Sequence, residues 1–208
     1  MRRRWKSLGA TSFVLMLCAG VVCLGGCGGI PDAAMQSLQK GDAILQKVAA
    51  QVDPLLYELE SLFTDYAYGE NTEPYGVNQT MTESKATALR LAAMSREAEA
   101  YFDKALSVPG AGGCTEYVGQ ARAVLQQVER IPGVADRGFR VIDTLANIDT
   151  TVGMNAMETS LYKASRSLIQ INIETHYAVG YADYLASKLG IRSGQASTTA
   201  PASHTSGS

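Results

Sequence analysis

The chain has 208 residues, a net charge of −2 and 46% apolar residues, enough for one domain with a sizeable core. Four of its 18 Lys and Arg fall in the first six residues, which leaves 14 cations against 20 acids beyond them, a net charge of −6. That balance argues against nucleic acid as a partner, because binding a phosphate backbone needs clustered cations, and against broad contact with anionic lipid.

The chain opens MRRRWK, without an acid, and an apolar run over residues 8–24 follows. A basic head, an apolar middle and a small-residue end form an export signal. The run closes on Leu24-Gly25-Gly26-Cys27. This resembles the lipobox of bacterial lipoproteins: an aliphatic residue, two small residues, then the cysteine that takes the lipid. Gly25 and Gly26 would let a peptidase reach the backbone. Cys18 follows Leu17 and Cys23 follows Val22, so neither has a small residue before it. The resemblance covers residues 1–27. It implies that residues 1–26 are a removed signal peptide and that Cys27 carries diacylglyceryl and acyl (palmitate) chains. It also implies attachment to a membrane through that anchor. Two alternatives stay open. One is an uncleaved spanning helix, for which the run is near the lower limit of length. The other is a twin-arginine export signal, of which the triple arginine is a faint form.

Gly28 follows the lipidated cysteine. Aspartate there would signal retention in the inner membrane of Gram-negative bacteria. The resemblance therefore implies the cell envelope: the periplasmic face of the outer membrane in a Gram-negative source, otherwise the outer face of the cytoplasmic membrane.

Residues 27–190 read as one helical domain. Apolar residues recur at alternating spacings of three and four, which marks one helix face packed on others. The first line is Ala34, Leu38, Gly41, Leu45, Val48, Val52, Leu55, Leu59, Leu62, Tyr66. Pro31 is a favoured first helical residue. Pro54 interrupts the line without shifting its phase, which predicts a kinked helix, with a new start at Pro54 capped by Asp53 as the alternative. A loop over residues 67–79 follows. The second line is Leu91, Met94, Ala98, Tyr101, Ala105, Val108, with Phe102 alongside, and its helix is expected to begin near Thr80 or Thr82.

The third line is Tyr117, Ala121, Val124, Val128, Ile131, Ala135, Gly138, Ile142, Leu145, starting behind Thr115 as N-cap. Pro132-Gly133 lies inside it and predicts either a kink or a full turn. The fourth is Met154, Met157, Leu161, Ala164, Leu168, Ile171, Thr175, Ala178, Ala182, Leu185, Leu189, ending at Gly190 as a C-terminal cap. The fold class is all-α. Four helices of about 30 to 36 residues, roughly 45 to 55 Å long, make an antiparallel up-down four-helix bundle with kinks near Pro54 and Pro132. There are five helices if Pro132-Gly133 is a full turn. Small residues at 178, 180 and 182 mark an expected close helix contact. Residues 191–208, Ser-, Thr-, Gly- and Ala-rich, read as a disordered tail.

The lines carry no carboxylate or imidazole. Glu174-Thr175-His176 lacks the Glu-x-x-His spacing of di-iron bundles. There is no Cys-x-x-Cys-His or His-Glu-x-x-His. Gly110-Ala111-Gly112-Gly113 lacks the Lys-Ser/Thr ending of a phosphate loop. With Cys27 acylated, Cys114 stands alone, either a small buried hydrophobe or a reactive thiol. His176 flanks a core line with Asn172 four residues before it, and Glu58 and Glu60 face different ways on one helix. The expectation is no enzyme, no metal and no cofactor. The expected role is structural contact with another envelope protein. A candidate interaction loop at the bundle end holds Tyr66, Tyr68, Glu70, Glu73 and Tyr75, since tyrosine is rigid, large and half polar. The alternative is a bundle that binds a small ligand between its helices. An enzyme with an unreadable site is third.

Overall fold

A computed structural model describes residues 29–68, 74–146 and 154–192. The signal segment, Cys27 and residues 193–208 lie outside the described residues. The described chain is all helical: α1 Asp32–Ala67, α2 Pro74–Leu106, a 3-10 turn Ala111–Cys114, α3 Thr115–Ala146 and α4 Met154–Lys188. Both prolines lie inside continuous helices, Pro54 in α1 and Pro132 in α3, so no fifth α-helix forms among the described residues. The buried line keeps its phase across each proline: Val52 and Leu55 flank Pro54, and Ile131 and Ala135 flank Pro132, all buried. Breaking either helix would sacrifice that packing, and losing one backbone hydrogen bond costs less than losing a helix's worth of burial.

α2 begins earlier than the sequence suggests, at Pro74 rather than near Thr80. Its buried line is Val77, Ser84, Ala88, Leu91, Ser95, Ala98, Phe102 and Ala105, with Met81 packed against the core. The spacing of four and three is regular from Val77 onward. Two serines on the line hide it from an apolar count, and a line through Met94 and Tyr101 is one residue off. The connection of residues 67–79 therefore shortens to the few residues between Ala67 and Pro74. Thr115 also differs from expectation. It is itself helical, and its hydroxyl donates to the Gly112 carbonyl at 2.9 Å instead of capping α3. Pro31 stands just before α1 and its carbonyl accepts from Met35 N–H.

Each helix packs on two neighbours, α1 on α2 and α4, and α3 on α2 and α4, with α1 and α3 also touching across the middle. Two clusters fill the interior. One joins the early part of α1 (Leu38, Leu45), the late part of α2 (Phe102), early α3 (Tyr117, Leu125) and late α4 (Leu185). The other joins late α1 (Leu59, Phe63), early α2 (Val77), late α3 (Phe139) and early α4 (Leu161). Each cluster is keyed by an edge-to-face aromatic pair with centroids 5.8 Å apart: Phe102 on Tyr117, and Phe63 on Phe139.

The seam glycines serve rings rather than close backbones. A Cβ at Gly41 would lie 2.5 Å from Phe102 Cε1, and one at Gly138 would lie 2.5 Å from Phe63 Cε1. Gly41 of α1 is the seat of a phenylalanine from the adjacent α2, and Gly138 of α3 is the seat of one from α1, across the middle of the bundle. The close contact expected at residues 178, 180 and 182 does not form at Gly180, which is exposed with nothing within 4 Å of a built Cβ. Only Ala182 of the three is fully buried; a 100° step per residue turns position 180 away from 182.

Candidate functional site

Of the five residues of the expected interaction loop, Tyr66 is half-buried and packs on the second cluster. Tyr68 closes α1 with its N–H on the Thr64 carbonyl at 3.0 Å and leaves its ring exposed. Tyr75 falls in the first turn of α2. Glu70 and Glu73 lie outside the described residues.

Cys114 is fully buried, donates to the Ala111 carbonyl at 3.0 Å, and has its thiol pKa pushed up by burial. That is the environment of a small hydrophobe, not of a thiolate. His176 is exposed, with Nε2 3.4 Å from Asp53 Oδ1 of α1; its partner is thus Asp53 and not Asn172. Among the described residues no three His, Cys, Asp or Glu side chains come together, and no helix is long and apolar enough to cross a membrane.

Sequence reasoning missed a buried polar cluster in the first core. Asp42, 4% exposed, accepts from Tyr117 Oη at 2.7 Å. The Arg192 guanidinium grips the same carboxylate with two parallel bonds of 2.8 Å and reaches Asp183 Oδ1 at 2.8 Å. Gln46 borders the pair, and turning its amide oxygen inward lets it accept from Arg192 Nη1 at 3.0 Å. Fork-on-carboxylate geometry is the strong form of this contact. Burial, and then the Asp42 charge, raise the Tyr117 phenol well above its ordinary range; the Asp42 hydrogen bonds raise Arg192 likewise. Tyr117 is thus kept protonated and Arg192 charged, and their bonds to Asp42 and Asp183 fasten the start of α1 to α3 and to the end of α4.

The turn after α4 delivers Arg192 to this position. Gly190 adopts φ +69°, Ile191 N–H bonds the Ala186 carbonyl at 2.9 Å, and Gly190 N–H bonds the Ser187 carbonyl at 3.1 Å. This is a Schellman close, in which only glycine takes the left-handed position without strain. Ile191 is buried by it. Residues 191 and 192, assigned to the tail by composition, thus belong to the packed domain. Asp42 carried a sequence signal: Leu38, Asp42 and Leu45 keep the spacing of four and three as well as Leu38, Gly41 and Leu45 do.

The outer surface holds a second pattern. Of nine exposed large apolar or aromatic side chains among the described residues, six lie on α4. Tyr162, Ile169, Ile173, Tyr177 and Tyr184 fall within about 40° of one line along the helix. Ile173 is 47% exposed and Tyr177 80%. The line spans residues 162–184, roughly 33 Å at 1.5 Å per residue. α4 packs inward with Leu161, Leu168, Ile171 and Leu185, so it is apolar on opposite faces. Tyr57 of α1, also exposed, lies one turn beyond Asp53, which meets His176 of α4. Next to this line, a groove of about 500 Å³ opens between α3 and α4, lined by Arg137, Arg140, Val141, Met157, Lys163 and Ala164 among others.

Comparison with protein-family models, with curated proteins and with solved structures finds no match for this chain.

Proposed function

We propose that this chain is a lipid-anchored protein of the bacterial cell envelope that acts by contact with another envelope protein, not by catalysis. The lipobox at Leu24-Gly25-Gly26-Cys27 supports the anchor. The two clusters, each joining early α1 and α3 to late α2 and α4 or the reverse, support an antiparallel up-down bundle. In that arrangement the beginning of α1, a few residues after Cys27, stays beside the membrane.

The observation that carries the contact reading is the outward line on α4. Exposed aromatic and aliphatic side chains gathered on one helix face, here with Arg166 and Gly180 among them, have the make-up of an interaction surface, and tyrosine presents area at small entropic cost. This surface is preferred to the 66–75 loop as the contact face because α4 holds six of the nine exposed large apolar or aromatic side chains among the described residues. The reading of a ligand held between the helices loses ground. At the two glycine seats Phe102 and Phe63 fill the bundle interior, so the room for a ligand is the groove between α3 and α4, which opens at the surface.

Site-specific photo-crosslinking in the source cell tests the contact face. A photoreactive residue at Tyr177 is expected to trap a discrete protein adduct. The same residue at Leu89, exposed on α2, is expected to trap none, since α2 lies away from α4. Equal adducts at both positions, or none at either, would remove the face from consideration.

A further inference from the structure

The edge between α3 and α4 changes electrical character along its length. At one level Arg130 of α3 meets Glu174 of α4 at 3.4 Å. About two turns along, the facing residues are Arg137 and Arg140 of α3 and Lys163 of α4, three cations around one groove. None of the three has an ion-pair partner among the described residues, and no carboxylate lines the groove. Of the acids near them in sequence, Asp136 is held by Lys85 of α2 at 2.8 Å and also feels the Arg140 charge, and Asp143 stands three residues beyond Arg140; neither lines the groove. In a chain whose charge beyond its first six residues is −6, this is a local reversal of sign. Like charges facing each other across a groove repel, and low-dielectric walls focus the field they make.

The walls restrict what relieves that repulsion. Three hydroxyls line the groove, but each donates to its own helix backbone: Thr144 to the Arg140 carbonyl, Ser160 to the Ala156 carbonyl, and Ser167 to the Lys163 carbonyl. The donors left for a ligand are the cationic side chains. Arginine offers a planar fork that fits carboxylate or phosphate oxygens, and lysine adds a point charge. Val141, Met157 and Ala164 supply an apolar lining beneath them. A volume of about 500 Å³ lies in the size range of small-molecule sites.

We propose that the α3–α4 groove binds a small amphiphilic anion. A carboxylate or phosphate head would sit among Arg137, Arg140 and Lys163, with an apolar body along Val141, Met157 and Ala164. The site is separate from the α4 contact line and stands whether or not that line binds a protein. Such a head occurs on free organic acids and on phospholipids, and the two sources are told apart by experiment.

Titration calorimetry of the full chain with octyl phosphate, octanoate and octylamine, each below its micelle concentration, tests the site. Octyl phosphate and octanoate are expected to bind and octylamine is not. The Arg137→Gln/Arg140→Gln double variant and Lys163→Glu are each expected to weaken octyl phosphate at least tenfold, while Arg90→Gln on α2 leaves it unchanged. All three groove cations are at the surface, and melting curves matching the wild type confirm that the variants fold. Vesicles containing phosphatidylglycerol add the second arm. Binding that depends on the same three cations assigns the head to a lipid. Octyl phosphate binding that needs the groove cations, with no such dependence in vesicle binding, assigns it to a free acid. No binding of either anion, equal binding of octylamine, or indifference to the groove variants overturns the proposal.

Discussion

Arg192→Met is expected to destabilise the domain by about 3–5 kcal/mol, the cost of leaving a buried carboxylate without its cation. For a chain of this size each kcal/mol moves the melting temperature by about 2–4 °C, so the expected fall is roughly 10 °C. The cause is Asp42, 4% exposed, which keeps only the Tyr117 hydroxyl once the guanidinium is gone. Replacing both charges, Asp42→Leu with Arg192→Met, is expected to recover most of the loss, since a packed apolar pair of similar volume often matches a buried ion pair. Tyr117→Phe adds a pH signature. The folded phenol titrates above the ordinary tyrosine value of about 10. Its stabilising contribution is therefore complete below about pH 10 and is lost as pH rises beyond it. Denaturant titrations from pH 7 to 11 should show a shallower alkaline decline for Tyr117→Phe than for the wild type. An Arg192→Met melting temperature within about 2 °C of the wild type would mean that the cluster does not fasten the helices.

The second large effect is expected at Gly138. Valine there places its methyls into the Phe63 ring, which is fully buried and wedged edge-on against Phe139. Overpacking of this kind costs about 1–3 kcal/mol, and the cage around Phe63 puts the expected cost at the upper end. Gly180→Ala runs the other way. Its position is open, so only the helix propensity gain of about 0.8–1 kcal/mol remains. The mechanism is separable from propensity by a double-mutant cycle. Combined with Phe63→Leu, which shortens the ring's reach, Gly138→Val should cost clearly less than it does alone. Equal costs in the two backgrounds would mean that Gly138 is not the ring's seat.

Both predictions fall where an apolar pattern is least informative. The repeats of three and four were enough to place α1, α3 and α4, because Val, Leu and Ile report burial directly. They failed over early α2, where the buried positions before Leu91 are Val77, Ser84 and Ala88 and offer one large apolar side chain among them. They could not separate a kinked helix from two at Pro132, since the deciding quantity is the packing of Ile131 and Ala135 on either side. Glycines on a seam announce small volume but not what fills it; Phe102 and Phe63 come from other helices. The Asp42–Arg192 pair joins residues 150 apart in sequence, one on an apolar line and one in a low-complexity stretch. No local pattern connects them. The α4 surface line was hidden for the opposite reason. In sequence its tyrosines and isoleucines merge with the buried line, and only the orientation of the helix separates the two faces.

The central claim, a lipid anchor beneath a contact-making bundle, is tested most directly by native mass spectrometry of the chain extracted gently from its own membrane. The expected spectrum shows a chain beginning at Cys27 and carrying a diacyl or triacyl mass. It also shows a second species with a bound protein, which Ile173→Glu removes while the acyl mass stays. An unprocessed chain without acyl mass contradicts the anchor. An acylated chain with no bound protein, or one whose partner persists in Ile173→Glu, contradicts contact through α4.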